Sequence, residues 1–357
     1  MVRLTRAEAQ ERNRAKVLAA AREEFAERGF RDAKIDHIAD RADLTRGAVY
    51  SNFPGKRALY FAVLAELAER APVAEQPEPA LTVREALAGV ARTWVTRLPL
   101  ATDDEHGPTR LGMDLMPEIL ADEVTRRPFA QLMKLNAVLL GLAMERLRPP
   151  REPDGRLVRL AEAVLTVLQG AGQLSAAAPG FVEPFNVIRV CEQLADLDLG
   201  DRWAVAPMIP EVREIDSPWS PPSSSLDAIT GERVRLSGDG VVAVLGLHRL
   251  SAAEEAVRAA PPGAEVTAVV VTSAPQELLP LARLVIAELC TCLRQTFPRP
   301  AWPRLRMVYD ESGELAAAAG VAEAGDGTET AIRVRSGRVV LRAGGFGACN
   351  AAASYRY

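Results

Sequence analysis

Residues 45–56, TRGAVYSNFPGK, combine side chains suited to holding phosphate groups and approaching base edges. Thr45 can cap a helix, because its hydroxyl can accept a hydrogen bond from a backbone N–H two or three residues later. The other N–H groups at such a helix start form the positive end of the helix dipole and suit a phosphate oxygen. Gly47 and Ala48 leave the leading face of this helix bare. The segment therefore fits a short helix that enters a DNA groove, although an ordinary core helix with a fortuitous cap fits the segment alone equally well.

The preceding residues supply the elements that must position this helix. Residues 11–28 place their apolar side chains on one helical stripe, and Gly29 is a typical helix end. Residues 34–42 repeat apolar side chains at three- and four-residue spacing, which predicts a second, shorter helix. Only Asp43-Leu44 separates it from the third. Three helices with a tight turn between the last two form a helix-turn-helix, whose second member enters the major groove.

With these elements in place, residues 15–64 resemble the DNA-binding domain of the TetR (tetracycline-repressor) family of transcription regulators. The matching residues are Phe25, Gly29, Phe30, Ile38, Ala39, Ala42, Thr45, Gly47, Tyr50, Phe53, Lys56 and Leu59. The resemblance implies that Thr45, Tyr50 and Lys56 hold phosphates. It also implies that Arg46 and Ala48 face the bases or the backbone beside them.

Three positions depart from the family pattern. Asn52 stands where the family often has a histidine, and it could still donate to a phosphate. Ala33-Lys34 replaces the usual threonines, so we expect Asp32 to cap the second helix and Lys34 to supply the phosphate contact. Asp43 replaces a glycine in the turn, where aspartate tolerates a left-handed backbone at some cost. The predicted DNA-binding residues are Lys34, Thr45, Arg46, Gly47, Ala48, Tyr50, Asn52 and Lys56.

Charge and length support a DNA-binding head on a larger protein. Residues 1–60 carry 13 Lys and Arg against 9 Asp and Glu, a net of +4, whereas the whole chain is −4. A chain of 357 residues exceeds the roughly 200 residues of one helical regulator. No apolar run could span a membrane and the start, MVRLTRAEAQ, is polar, so we expect a cytoplasmic protein without membrane contact. The expected organisation is a DNA-binding domain at 1–70, a helical ligand-binding and dimerisation domain at 80–200, a linker at 201–229 and an α/β domain at 230–357.

Residues 80–200 predict amphipathic helices. Thr82 and Glu85 have the spacing of a capping box. The last two of these predicted helices cover residues 157–169 and 183–197. In the family that the head resembles, the last two helices usually form a dimer interface and the preceding ones enclose a ligand cavity. This implies a homodimer on a near-palindromic double-stranded operator and an unknown small-molecule effector. The candidate cavity side chains are Trp94, Met113, Met116, Phe129 and Met133, for which plain core packing is the alternative interpretation.

Beyond the proline- and serine-rich residues 201–229, apolar strands alternate with helices in the order β-α-β-α-β-(α)-β-β. Ser251 and Glu254 have capping-box spacing at the start of the first of these helices. The order resembles the thioredoxin-like fold. Two segments, RMVYDESGELAAAAGV (306–321) and TAIRVRSGRVV (330–340), resemble its peroxiredoxin branch. The predicted fold class is therefore multidomain: an all-α helix-turn-helix and helical regulatory domain followed by a thioredoxin-like α/β domain. Redox enzymes of that fold need a cysteine at the first helix start, where this chain has Ser251.

The four cysteines and three histidines offer little catalytic chemistry. Cys290 and Cys292 project about 200° apart on a predicted helix and cannot bridge each other. Adjacent acidic residues and a histidine in residues 103–106 make a poor metal cage. We therefore expect no enzyme, no cofactor and no metal. The sequence favours a ligand-responsive transcriptional regulator, a repressor in most members of the family. A thiol- or peroxide-responsive sensor, or a redox enzyme fused to a DNA-binding head, is the alternative.

Overall fold

The computed structural model describes residues 5–71, 79–99, 111–148, 155–204 and 210–355. Within these ranges the N-terminal part is helical, with α1 (Arg6–Asp32), α2 (Ile35–Ala42), α3 (Arg46–Asn52), α4 (Lys56–Glu69), α5 (Val83–Val95), α6 (Leu115–Leu120), α7 (Glu123–Glu145), α8 (Val158–Ala177) and α9 (Pro184–Leu194). The C-terminal part is mixed, with β1 (Val212–Pro218), β2 (Ser225–Leu226), β3 (Arg233–Val234), β4 (Gly240–Gly246), α10 (Ala253–Ala259), β5 (Glu265–Val271), α11 (Pro275–Thr296), β6 (Arg306–Tyr309), α12 (Glu314–Ala318), β7 (Glu329–Arg335), β8 (Arg338–Gly344) and α13 (Ala348–Ser354).

The head consists of α1, α2 and α3, and local signals set its turns. Gly29 has a φ of 70° and breaks the regular backbone of α1 near its end, as the glycine predicts. Asp43 adopts the left-handed conformation, with a φ of 54°, at the end of α2. The expected cap of α2 is wrong: Asp32 is the last residue of α1, and Lys34 occupies the N-cap position without a side-chain hydrogen bond. The first turn of α2 instead holds Asp36, whose charge suits the helix dipole.

The helical body follows the predicted pattern most closely at its start. Thr82 and Glu85 form the reciprocal capping box of α5. The helix α8 extends past the predicted stripe at 157–169 to Ala177. Residues 103–106, weighed above as metal ligands, lie outside the described residues.

The C-terminal part contains a six-stranded sheet in the order β1-β8-β7-β4-β5-β6. The strands β4, β5 and β6 are parallel, while β7, β8 and β1 alternate in direction. Ser336 and Gly337 join β7 to β8 with φ angles of 50° and 72°, the geometry of a tight hairpin turn. The sheet buries both faces, one against α10, α11 and α13 and the other against a smaller cluster that includes Trp219 and Leu315.

Two predictions for this part of the chain are wrong. The sequence predicts a linker over 201–229, but its residues Val212–Pro218 form the edge strand β1 and pair with β8. From Glu214 to Pro218, exposed side chains alternate with partly buried ones. One face of β1 therefore packs toward the protein while the other faces solvent. The capping box of Ser251 and Glu254 is also absent, because α10 begins at Ala253 without a side-chain cap. Glu254 is buried and pairs with Arg156 and Arg258 instead.

The two parts of the chain share one hydrophobic core. The helix α4 is enclosed on all sides, since every residue from Ala58 to Ala65 is buried. The head helix α1 covers one side of α4, and α11 from the C-terminal part covers another. The same helix α11 also packs against α5 and α7. The C-terminal part is therefore built into the helical body rather than attached to it by a tether.

Candidate nucleic-acid interface and helical-bundle cavity

The short helix α3 presents a polar start and a small exposed face. Thr45 is the N-cap, and its Oγ1 accepts a hydrogen bond from the backbone N–H of Ala48 at 3.2 Å. Val49 and Phe53 are buried and anchor α3 to the head. Thr45, Arg46 and Gly47 are exposed, as is 42% of Tyr50. The buried anchors thus turn the capped end and the bare face of α3 toward solvent.

Gly47 has no internal reason to be glycine. A Cβ atom at this position would meet only Thr45 Oγ1, at 3.8 Å, and the backbone there is helical. Glycine costs a helix roughly 1 kcal/mol relative to alanine. A residue that weakens its own helix without relieving a contact in the protein fits a surface that another molecule approaches closely.

The start of α3 lies beside the start of α2. Arg46 Nη1 and Asp36 Oδ1 are 3.3 Å apart, with 61% of each side chain exposed, and the Arg46 guanidinium also lies 5.6 Å from the centre of the Tyr50 ring. An ion pair so exposed contributes little to stability, so Arg46 can exchange Asp36 for another anion. Lys34 is exposed at the N-cap of α2. These side chains form one exposed polar surface, which we call the head surface: Lys34, Thr45, Arg46, Gly47 and Tyr50.

Two of the predicted DNA-binding side chains are engaged inside the head. Asn52 is only 8% exposed, and its Nδ2 donates to the Ala48 carbonyl at 2.8 Å. Lys56 Nζ donates to the carbonyl oxygens of Phe30 at 2.7 Å, Arg31 at 3.1 Å and Ala33 at 3.1 Å, and it lies 4.5 Å from the centre of the Phe30 ring. In this structure the Lys56 ammonium therefore closes the end of α1. Ala48 is the remaining predicted residue, and it is partly buried.

A buried carboxylate that the sequence did not single out fixes α2 against α1. Glu24 is fully buried, and its Oε1 lies 3.0 Å from His37 Nδ1 on α2. Its Oε2 lies 3.2 Å from Arg41 Nε. A buried carboxylate is costly unless it is paired, so these contacts hold the two helices in a fixed relation.

The helical bundle encloses a cavity of about 150 Å³. Four of the five predicted ligand-binding side chains line it, namely Trp94, Met113, Met116 and Phe129. Met133 lies beside it, with its Sδ 3.9 Å from Nε2 of the lining residue Gln169. Sequence reasoning missed the other lining residues, among them Val285 and Glu288, which come from the distant helix α11. Burial raises the pKa of the Glu288 carboxyl, against the opposing effect of the nearby Arg97 charge.

The cysteines lie away from the head surface. All four are buried and free. Burial raises the pKa of Cys191 and of Cys292 to about 11, and that of Cys290 to about 12. Burial also raises the pKa of Cys349 well above its usual range. Reactive cysteines are exposed thiolates, so none of these four fits a reactive role.

Comparison with known proteins decides the family. Residues 17–63 match the model of the tetR family of bacterial regulatory proteins. The chain is 38% identical over 108 residues to TtgW, an uncharacterized HTH-type transcriptional regulator of Pseudomonas putida, and this segment covers 30% of the chain and 73% of TtgW. The chain belongs to the tetR family. Over 108 residues it is also 38% identical to the HTH-type transcriptional regulator SrpR of Pseudomonas putida, a match that spans 46% of SrpR, or about half of its length.

Solved structures of TetR regulators are also similar to part of the chain. NalD, the secondary repressor of the MexAB-OprM multidrug efflux pump in Pseudomonas aeruginosa, is 22% identical, with a TM-score of 0.34 over 53% of this chain and 95% of NalD. A TetR transcriptional regulator from Rhodococcus sp. RHA1 is 18% identical, with a TM-score of 0.34 over 53% of this chain and 95% of that regulator.

Two features are absent from the described ranges. None of the helices there is long and apolar enough to cross a membrane. Among the same residues, no three His, Cys, Asp or Glu side chains are grouped so that they could hold a metal ion.

Proposed function

We propose that this TetR-family protein is a DNA-binding repressor that binds a near-palindromic operator as a homodimer and releases it when a small molecule binds. The head surface carries the proposal: α3 is capped by Thr45, bare at Gly47 and anchored from behind by Val49 and Phe53. A helix of this shape can enter a major groove without steric conflict. Lys34, Thr45, Arg46 and Tyr50 supply the groups for phosphate and base contacts. Asn52 and Lys56 act by holding the head together.

A homodimer is supported by an exposed apolar face on the last two helices of the body. The exposed side chains on or beside α8 and α9 are Leu174, Phe181, Phe185, Val190, Leu197 and Leu199. Phe181 and Phe185 are 72% and 76% exposed, and large apolar patches of this kind mark interaction sites. Two heads at a fixed spacing also gain the affinity that one three-helix head lacks. The operator would therefore contain two related half-sites.

The C-terminal part would be a thioredoxin-like domain without redox chemistry. The run β4-α10-β5-α11-β7-β8-α13, with strand order β5-β4-β7-β8, supports that fold, with β1, β6 and α12 as additions. At the position of a redox cysteine, the Ser251 N–H donates to Gln131 Oε1 on α7 at 3.2 Å. This segment therefore packs against the helical body. With four buried cysteines of raised pKa, the thiol-sensor alternative is not favoured.

Operator selection tests this proposal. The full chain would be incubated with random double-stranded DNA, and bound sequences would be recovered and sequenced over several rounds. We expect an inverted repeat to be enriched, and we expect the variant Thr45→Val to recover no enriched sequence while keeping its circular dichroism spectrum. Enrichment of a single unrepeated site, or of no sequence, would contradict the proposal.

A further inference from the structure

A second cavity lies at the joint between α4 and the C-terminal part. It encloses about 510 Å³. Glu69 lines it from α4, while Arg283, Ala287 and Arg294 line it from α11. The remaining wall comes from residues 309–312, 314 and 315 at the end of β6 and the start of α12, and from residues 222, 224–228 and 231 around β2. The cavity thus lies at the carboxyl end of the parallel edge strand β6.

Size distinguishes this joint cavity from the helical-bundle cavity. Small-molecule sites usually enclose about 300–1,000 Å³. The joint cavity, at about 510 Å³, falls within this range, whereas the bundle cavity, at about 150 Å³, is too small for a drug-sized molecule.

The charges around the joint cavity favour a cation. Five acidic residues line it against two arginines, a formal net of −3. Asp227 and Asp310 are buried and accept backbone hydrogen bonds, so the carboxylates open to a ligand are those of Glu69, Glu311 and Glu314. Both arginines are already engaged. Arg283 donates to the two carboxylate oxygens of Glu69 at 2.8 and 2.7 Å, and Arg294 donates to the carbonyls of Ala228 and Ile229, each at 3.1 Å. An entering anion would have to displace one of these contacts.

The rest of the lining is apolar or aromatic. Leu226, which is 55% exposed, lines the cavity together with the buried Ala287 and Leu315. Tyr309 adds an aromatic ring. Burial raises the pKa of the Tyr309 phenol well above its usual range, so the ring stays uncharged at neutral pH. A cation gains attraction from an aromatic face, and its apolar body gains from burial.

We propose that the joint cavity is an effector site for an organic cation with an apolar body, and that the bound cation competes with Arg283 for Glu69. Glu69 is on α4, the helix that follows the head, and Arg283 is on α11. Loosening this pair removes the ion pair that ties the end of α4 to α11 and leaves only their apolar packing. The effect on DNA rests on the proposed function, whereas binding of the cation does not.

Calorimetric titration of the full chain tests the site without DNA. The probes are benzyltrimethylammonium and toluenesulfonate, which are similar in size and opposite in charge. We expect one benzyltrimethylammonium per chain and no binding of toluenesulfonate. In Glu311→Gln/Glu314→Gln the cation should bind about tenfold more weakly, because two attractive charges are lost. Glu323→Gln, an exposed carboxylate of the same region outside the cavity lining, is the matched control and should bind within about twofold of wild type.

Two further variants keep the result interpretable. Glu314→Gln alone neutralises one exposed carboxylate and repeats the test if the double variant unfolds. Trp94→Ala alters the bundle cavity and should leave the cation affinity unchanged. The proposal is overturned if the cation does not bind wild type, if toluenesulfonate binds as well, or if Trp94→Ala rather than the glutamate variants weakens binding.

The consequence for DNA is measured separately, by fluorescence anisotropy with the selected operator. We expect saturating benzyltrimethylammonium to weaken operator binding by at least about fivefold in wild type, a typical coupling between two sites. If the cation binds but the protein recognises no operator, the proposed function fails and the site stands. If both bind without affecting each other, the competition at Glu69 is wrong.

Discussion

At the residue scale, Gly47 is more informative than the charged side chains around it. Charged side chains on a protein surface are common and need no special explanation. A glycine within a seven-residue helix is different, because it weakens the helix and nothing within the protein requires it. The missing side chain at Gly47 is explained by another molecule that approaches α3 closely from outside the protein.

Enlarging Gly47 should therefore separate stability from function. We expect Gly47→Ala to raise the free energy of unfolding by about 0.5–1 kcal/mol, through helix propensity. Gly47→Leu should keep the fold and weaken operator binding at least about tenfold, through steric conflict in the groove. Urea denaturation and fluorescence anisotropy measure the two effects. Gly327→Ala, in the turn before β7, is the control: a Cβ atom there would meet nothing within 4 Å, the position is outside the head surface and outside α8 and α9, and operator binding should stay unchanged. Tight operator binding by Gly47→Leu would place the DNA elsewhere.

Lys34 and Lys56 should behave differently when each is changed to methionine. Lys56→Met removes the cation that closes the end of α1, so we expect a loss of about 2 kcal/mol in stability. The dependence of operator affinity on salt should hardly change. Lys34→Met should leave stability nearly unchanged but reduce the slope of log K against log salt by about 1.8, because each of the two heads of the homodimer loses one phosphate contact. Equal reductions in slope for both variants would mean that Lys56 also holds a phosphate.

At the element scale, α11 joins the two parts of the protein. Arg283 on α11 pairs with Glu69 near the end of α4, and Glu277 on α11 pairs with Arg57 near its start, at 2.9 Å. Arg57 also lies 3.3 Å from Asp122, which caps α7. Both ends of α4 are thus tied to α11 by ion pairs, in addition to the apolar packing between them. A change in the C-terminal part can therefore reach the helix that carries the head.

A double-mutant cycle on Arg283 and Glu69 measures this tie. With Arg283→Met and Glu69→Gln, we expect a coupling energy of about 1 kcal/mol that decreases with added salt, because the pair is bidentate and about 70% buried. Arg299 and Glu232 form the comparison pair. Their N–O distance is also 2.7 Å, but 73% and 58% of the side chains are exposed, so their coupling should be near zero. Equal coupling in the two cycles would show that the α4 pair adds no more than a surface contact.

Local signals in the sequence predicted local geometry, and long-range partners could not be predicted. Gly29, Asp43 and the Thr82 cap depend on the residue and its immediate neighbours. The carbonyls that bind Lys56 lie 23–26 residues away, and Glu277 lies 220 residues from Arg57. The sequence of α4 carries a further signal, for burial on several sides. The sequence KRALYFAVLAELAE of α4 is apolar on all sides rather than along one stripe, which indicates a helix covered from several directions.

At the scale of the whole molecule, the described chain places the proposed interfaces on different elements. The head surface lies on α2 and α3, the joint cavity lies between α4 and α11, and the apolar face lies on α8 and α9. A second copy can cover α8 and α9 and leave the other two accessible. The buried side of α9, at Val187 and Cys191, packs against α5 and α8. The outer side of α9 is therefore free to bind a partner without changing the body.

Phe185 allows dimerisation to be tested apart from folding. Because it is 76% exposed, Phe185→Glu should leave the stability of one chain unchanged. In a twofold dimer the change occurs twice at the interface, so we expect the dimer dissociation constant to rise about 100-fold or more. Light scattering should then give the mass of one chain at micromolar concentration, and operator affinity should fall to that of a single half-site. Leu120→Glu, at a 60% exposed position on α6, is the control and should remain dimeric. A dimer that persists in Phe185→Glu would move the interface away from α9, and a wild-type protein that is monomeric when bound to DNA would exclude the homodimer itself.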